Sequence, residues 1–327
     1  MKILVTGGTG FLGSHLARAL LQRGHTVFLL GREFGAVADL LAAGAHKVAV
    51  DLRTGGAVAD ACAGMDAVYH VGALSAAWGK SHDFHAINAG GTQAVVDGCR
   101  RHQVGRLIYV SSPAVTFDGN DQVNVTERAP YPARFTSTYA LTKKLGEDAI
   151  AGAAARGLST VVIRPKAIFG PGDRALLPRL LAAARQGKLR QFGDGRNHVD
   201  LTYVDNVVHA LLLALTSPAA VGRTYFVTND EHVPLWPTLR AVLAQVGLPA
   251  DLRPMPLTFA LAVAALLEMQ AALTGHEPLL TRYSVGILAR TQTYDITAAK
   301  HDLGYVPQVP VCEGIARTLP TLAKAYT

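Results

Sequence analysis

The chain has 327 residues, half of them apolar, which is enough to bury one large core and a second, smaller one. Its net charge of +7 is scattered, and no basic run interleaved with aromatics marks a nucleic-acid groove, so the charge reads as solubility with an anionic cofactor as one beneficiary. Cys62, Cys99 and Cys312 form neither a CxxC pair nor an even framework, which fits a reducing cytoplasm rather than a disulfide-built secreted domain.

The chain opens MKILVTGG, a short apolar run that enters a glycine turn, the pattern of a buried strand and not of a signal peptide. Strand 3–6 leads into TGGTGFLG and a helix over 11–23; strand 26–30 precedes a helix over 37–43. Strands 47–50 and 67–70 follow, then a long helix over 84–102, strand 106–111, a helix carrying YALTK, and strand 160–163. Uniformly apolar strands alternating with helical periods predict an α/β fold with a Rossmann-type, doubly wound parallel sheet covered on both faces.

After Arg164 the alternation loosens, and Pro165, Gly170, Pro171, Gly172 and Pro178 mark a departure from the sheet. Segments 201–215 and 223–227 read as one return to it. The domain reading is therefore residues 1–165, with 199–228 returning, as the dinucleotide-binding domain, and 166–198 with 229–327 as a smaller, mostly helical substrate domain. The most apolar stretch, 257–267, is interrupted by Glu268 and falls short of the roughly 20 residues a bilayer span needs. It reads as a wall of an apolar pocket or a core helix, with membrane-surface contact as the other reading.

TGGTGFLG sits between a strand and a helix, the context in which Gly7, Gly10 and Gly13, with Thr9, Phe11 and Leu12 between them, let the backbone turn against a pyrophosphate at a helix N-terminus. The second strand of such a unit ordinarily ends in an acid that binds the ribose hydroxyls of NAD; here Gly31 and Arg32 follow Leu30. An arginine there pairs with a 2′-phosphate, so NADP is expected ahead of NAD. Tyr139 and Lys143 lie four residues apart, which on a helix puts both on one face, where an ammonium beneath a phenol favours its ionised form and makes a general acid. The twelve histidines show no metal-ligand spacing.

The GxxGxxG spacing together with Ser111, Ser112, Tyr139 and Lys143 in that order resembles the extended branch of the short-chain dehydrogenase/reductase superfamily, over nearly the whole chain. The resemblance implies a catalytic Ser112, three positions before Val115, with Tyr139 and Lys143, and Ser111 nearer the cofactor. It implies that Asp51 and Leu52 contact adenine, that Val71, Gly72 and Ala73 line the dinucleotide, and that Lys143 holds the nicotinamide ribose. Asn88 would organise the active-site helix, and Pro165 and Ile168, in RPKAIFGPGD, would approach the nicotinamide. It further implies a homodimer paired through helices 84–102 and 138–154.

Within that branch, AAWG at 76–79, SSPAVTFDG, YPARF and the apolar C-terminal helices look like the 3β-hydroxysteroid dehydrogenase group, closest to its 2-alkyl-3-oxoalkanoate reductases. Sugar-nucleotide members carry an arginine before the aspartate at this chain's Val199 and Asp200, so a diphosphate clamp is missing. The expectation is an NADP(H)-dependent oxidoreductase acting on a bulky hydrophobic ketone or alcohol held by Trp78, Phe84, Phe117, Leu176, Leu177 and the helix over 257–267. The alternatives are a 3β-hydroxysteroid dehydrogenase using NAD, a sugar-nucleotide epimerase or dehydratase, and a dinucleotide-sensing protein without turnover, which would not need the tyrosine and lysine retained here.

Overall fold

The computed structural model describes residues 1–173 and 176–326. One sheet is built from β1 (Lys2–Thr6), β2 (Thr26–Gly31), β3 (His46–Ala49), β4 (Ala67–His70), β5 (Arg106–Val110), β6 (Thr160–Pro165) and β7 (Arg223–Val227). The strand order is β7-β6-β5-β4-β1-β2-β3, parallel throughout. Burial explains the composition: Ile3, Leu4 and Val5 are fully buried, as are all six residues of β6 in kind, so neither face alternates with polar residues.

Helices α1 (Phe11–Gln22) and, later in the chain, Val204–Thr216 cover one face, where Leu12, Leu16 and Leu20 pack with Val207 and Leu211. Helices α2 (Gly91–Arg101) and α3 (Thr138–Ala154) cover the other with Val95, Cys99 and Ile150. The chain order reverses between β1 and β4, and the crevice beyond the carboxyl ends of these strands is the ligand-binding place of such a sheet. Between β6 and β7 the chain leaves the sheet and comes back through α4 (Val204–Thr216).

A second core gathers Leu181, Phe192, Trp236, Leu239, Leu243, Ala260, Ala264 and Val285 above that crevice. It is formed in part by α5 (Leu257–Thr274) and α6 (Arg282–Ala289). One expectation is corrected here. The helix over 84–102 is not one α-helix, because residues His85–Gly90 widen into a π-helical turn between short helix Ser81–Phe84 and α2. The apolar stretch 257–267 lies in a helix that runs on through Glu268 to Thr274, 18 residues of mean hydropathy 1.7, a length and composition that a core helix shares with a bilayer span. Within it the Glu268 carboxylate accepts from the Arg282 backbone N–H and from Arg282 Nε, both at 2.7 Å.

Candidate active site

The glycine loop closes tightly on its neighbours. Gly7 has φ +64°, a Cβ there would stand 2.6 Å from Gly72 Cα, and a Cβ on Gly13 would stand 2.1 Å from the Gly7 carbonyl oxygen. No side chain fits at either place, so the backbone is left bare in front of the α1 N-terminus, where amides and helix dipole favour a phosphate.

A cleft of about 650 Å³ runs from this loop. Gly7, Thr9, Gly10, Phe11, Leu12, Gly13, Val71, Gly72, Ala73, Ser111, Ser112, Tyr139, Lys143, Pro165 and Ile168 all line it, so fifteen of the positions singled out in the sequence come together. Arg32, Asp51, Leu52 and Asn88 stand behind or beyond its walls. Arg32 follows β2, its side chain 68% exposed, with Nη1 4.0 Å from Asp51 Oδ2. Asp51 itself is gripped by Arg53, whose guanidinium holds its carboxyl down at about 2. Leu52 supports the Gly72 turn, since a Cβ on Gly72 would meet Leu52 Cδ1 at 2.8 Å.

Asn88 lies in the π-helical turn, fully enclosed. Its Oδ1 accepts from the Leu74 N–H at 2.7 Å, and its Nδ2 donates to the Leu74 carbonyl and to Thr142 Oγ1, each at 3.1 Å. It therefore ties the loop after β4 to the helix that carries Tyr139 and Lys143. A widened turn at such a place is how a helix re-aims one side chain without breaking.

Ser137 caps α3 by accepting from the Ala140 N–H at 3.1 Å, so Tyr139 sits in the first turn of that helix. Burial raises the Tyr139 phenol above its ordinary value, and the Ser112 hydroxyl beside it opposes the rise. Lys143 is 2% exposed and donates from Nζ to the Val110 carbonyl at 2.7 Å, over the face of Tyr109. Burial lowers it to about 7, against the pull of Glu147 one turn further along α3. The lowering of Tyr139 by Lys143 that the spacing suggested is thus not what this geometry gives, because the ammonium is turned to β5. Ser112 Oγ accepts from the Ala114 N–H at 3.2 Å, while Ser111 Oγ is buried with no partner among the described residues.

The cleft suits a dinucleotide on these observations: the bare glycine cradle at a helix N-terminus, and an orphaned Ser111 hydroxyl on the wall nearer the sheet. Among the described residues no group of His, Cys, Asp and Glu stands together as metal ligands do.

A second cavity of about 560 Å³ adjoins the first. Trp78, Phe84, Phe117, Phe135, Leu257 and Leu261 give it apolar walls, with Arg282 and Arg290 among its polar residues. The helix over 257–267 contributes Leu257 and Leu261, and of the five residues expected there Trp78, Phe84 and Phe117 are present. Leu176 is not: it lines the dinucleotide cleft, and Leu177, which begins helix Leu177–Arg185, lines neither. Val199 lines neither cavity; it is buried in strand His198–Asp200, where Asp200 accepts from the Tyr294 N–H and pairs with His232.

Ala76, Ala77, Tyr139 and Tyr283 line both cavities and so form the neck between them. Tyr283 lies in the segment LTRYSV, which carries part of the group resemblance but no expected site role. It sits in the first turn of α6, some 140 residues after Tyr139, and no spacing motif connects the two.

Residues 4–257 match the sequence profile of the 3-beta hydroxysteroid dehydrogenase/isomerase family. A 2-alkyl-3-oxoalkanoate reductase of Stenotrophomonas maltophilia (strain K279a) is 40% identical over 97% of this chain and 98% of its own. A decarboxylating sterol-4-alpha-carboxylate 3-dehydrogenase of Mus musculus is 34% identical over 97% of this chain and 90% of its own. In fold, the chain is similar to the UDP-glucuronic acid 4-epimerase of Bacillus cereus, solved in complex with NAD, with a TM-score of 0.78, 23% identity and full coverage of both chains.

Proposed function

The chain belongs to the 3-beta hydroxysteroid dehydrogenase/isomerase family of NAD(P)-dependent oxidoreductases, and from there we propose that it interconverts a ketone and a secondary alcohol on a bulky apolar acid of the 2-alkyl-3-oxoalkanoate kind, using NADP(H). The observation that carries this reading is the neck: Tyr139 stands where the glycine-loop cleft meets a cavity walled by Trp78, Phe84, Phe117, Leu257 and Leu261. A hydride source on one side and an apolar body on the other can meet only there.

NADP(H), when bound, supplies or accepts the hydride. Tyr139 gives a proton to the ketone oxygen, and burial helps by keeping the phenol protonated until that oxygen becomes basic. Ser112, beside the phenol, offers a second hydroxyl to the same oxygen. The positive end of α3 lies under Tyr139 and favours the phenolate left behind. Lys143, at about 7, is poised to hold or release a proton near neutrality behind them.

The preference for NADP(H) over NAD is supported by Arg32. Its exposed guanidinium stands past the end of β2, where a carboxylate would repel a 2′-phosphate. The apolar substrate is supported by the cavity walls and by the relatives, whose names both specify a carboxylic acid of lipid character.

The test is a panel of a 2-alkyl-3-oxoalkanoate, a 3-ketosteroid and a UDP-sugar, offered with NADPH, NADH and NAD⁺. Absorbance at the nicotinamide band is followed for the ketones, and the UDP-sugar products are separated by chromatography, since epimerisation of the sugar consumes no net hydride. Loss of absorbance with the oxoalkanoate and NADPH supports the proposal; conversion of the UDP-sugar alone removes it.

A further inference from the structure

We propose that Tyr283 binds the substrate carboxylate, donating a hydrogen bond from its hydroxyl to a carboxyl group carried on the carbon next to the one that is oxidised or reduced. The inference rests on the reading of the function given above and names the residue that selects its substrate class.

The chemistry sets where such a group must lie. In a 3-oxoalkanoate and in a sterol 4-carboxylate with a 3-hydroxyl, the carboxyl carbon is two bonds from the reacting carbon, about 2.5 Å away. With the reacting oxygen held by Tyr139, the carboxylate is confined to the neck and cannot reach far into the apolar cavity.

Four residues form that neck: Ala76, Ala77, Tyr139 and Tyr283. The alanines offer no side-chain donor, and Tyr139 is committed to the ketone oxygen. Tyr283 is left. No described residue makes a hydrogen bond to its hydroxyl, although it stands close enough to Tyr139 for that phenol's charge to raise its own cost of ionisation. Burial holds Tyr283 protonated far above neutral pH, so the hydroxyl is a constant donor. A half-buried phenol without a partner beside an active-site tyrosine is the arrangement expected where a ligand supplies the acceptor.

The two arginines of the apolar cavity serve less well. Arg282 is engaged through its backbone N–H and Nε by Glu268. Arg290 donates from Nε to the Gly119 carbonyl at 3.1 Å and lies 3.7 Å from Asp121. Neither lines the dinucleotide cleft, so neither is at the neck. Both suit the mouth of the cavity, where they draw an acid towards it.

The fixed helix geometry keeps Tyr283 in register. Thr281 and Ser284 cap α6 reciprocally, Oγ1 of Thr281 accepting from the Ser284 N–H at 3.0 Å and Oγ of Ser284 from the Thr281 N–H at 2.9 Å. Glu268 holds the preceding residue, Arg282. Tyr283 is thus carried on a rigid turn rather than on a free loop.

The test compares a 2-alkyl-3-hydroxyalkanoate with its methyl ester, both oxidised with NADP⁺, in wild type and in Tyr283→Phe. The change keeps the ring and removes only the donor. The expected result is a kcat/KM for the acid about 10- to 100-fold lower in the variant, carried mainly by KM, while the ester, whose neutral carbonyl accepts a weaker hydrogen bond, loses less than about fivefold and NADP⁺ affinity changes less than that for the acid. Tyr283→Leu, which also removes the ring, is expected to depress acid and ester together. If Tyr283→Phe depresses both substrates equally, or neither, the residue is a wall and the inference fails while the proposed function stands. If wild type oxidises neither substrate, the proposed function falls and takes the inference with it.

Discussion

Lys143 donates a 2.7 Å hydrogen bond to the carbonyl oxygen of Val110, with its ammonium 4.0 Å from the centre of the Tyr109 ring. The lysine is therefore held by β5 and not by the phenol four residues before it. Each partner compensates part of the cost of burying a charge, yet burial still lowers Lys143 to about 7.

A stability signature follows from this. The ordinary lysine value in an unfolded chain is about 10.4. Between about 7 and that value the unfolded chain binds the extra proton, so stability rises with pH across that window, and the penalty is largest below it. Lys143→Met abolishes the penalty. Its melting temperature should exceed that of wild type by more at pH 6 than at pH 9, and an equal difference at both would show that Lys143 is not buried as a charge.

Glu147 and Arg164 form a bidentate pair, Nε to Oε1 at 2.8 Å and Nη2 to Oε2 at 2.6 Å, with side chains only 5% and 4% exposed. Tyr131 also donates to Glu147, at 2.7 Å. The pair pins α3, and with it Tyr139 and Lys143, to β6. Glu147→Ala strands a buried guanidinium and is expected to cost about 3–5 kcal/mol in urea unfolding. A loss under about 1 kcal/mol would mean that water or a rearranged Tyr131 replaces the carboxylate.

Arg32→Asp exchanges an exposed cation for the acid that suits a free ribose. The ratio of kcat/KM for NADPH to that for NADH is expected to fall by about tenfold or more. An unchanged ratio would remove the argument for NADP(H).

Gly13→Ala places a methyl group 2.1 Å from the Gly7 carbonyl. The loop must shift, and dinucleotide affinity, read by quenching of protein fluorescence on titration with NADPH, should fall at least tenfold. Retained affinity would place the pyrophosphate elsewhere.

The sheet was legible because strands buried on both faces are written in uninterrupted apolar residues, and the glycine loop because its backbone geometry admits no other residue. The π-helical turn at 85–90 was hidden: one wider turn hardly disturbs the apolar period that marks a helix. Leu176 was placed in the wrong cavity because a sequence shows that a residue is apolar near a site, not which of two adjoining hollows it faces. Tyr283 was missed because α6 reaches the neck through packing in the second core.

The measurement to make first is NADPH oxidation with a 2-alkyl-3-oxoalkanoate, by wild type and by Tyr139→Phe. Wild type should consume NADPH, and Tyr139→Phe should lower kcat by about 100- to 10,000-fold with NADPH still bound. Turnover that survives in Tyr139→Phe would contradict the assignment of Tyr139 as the proton donor at the junction of the two cavities.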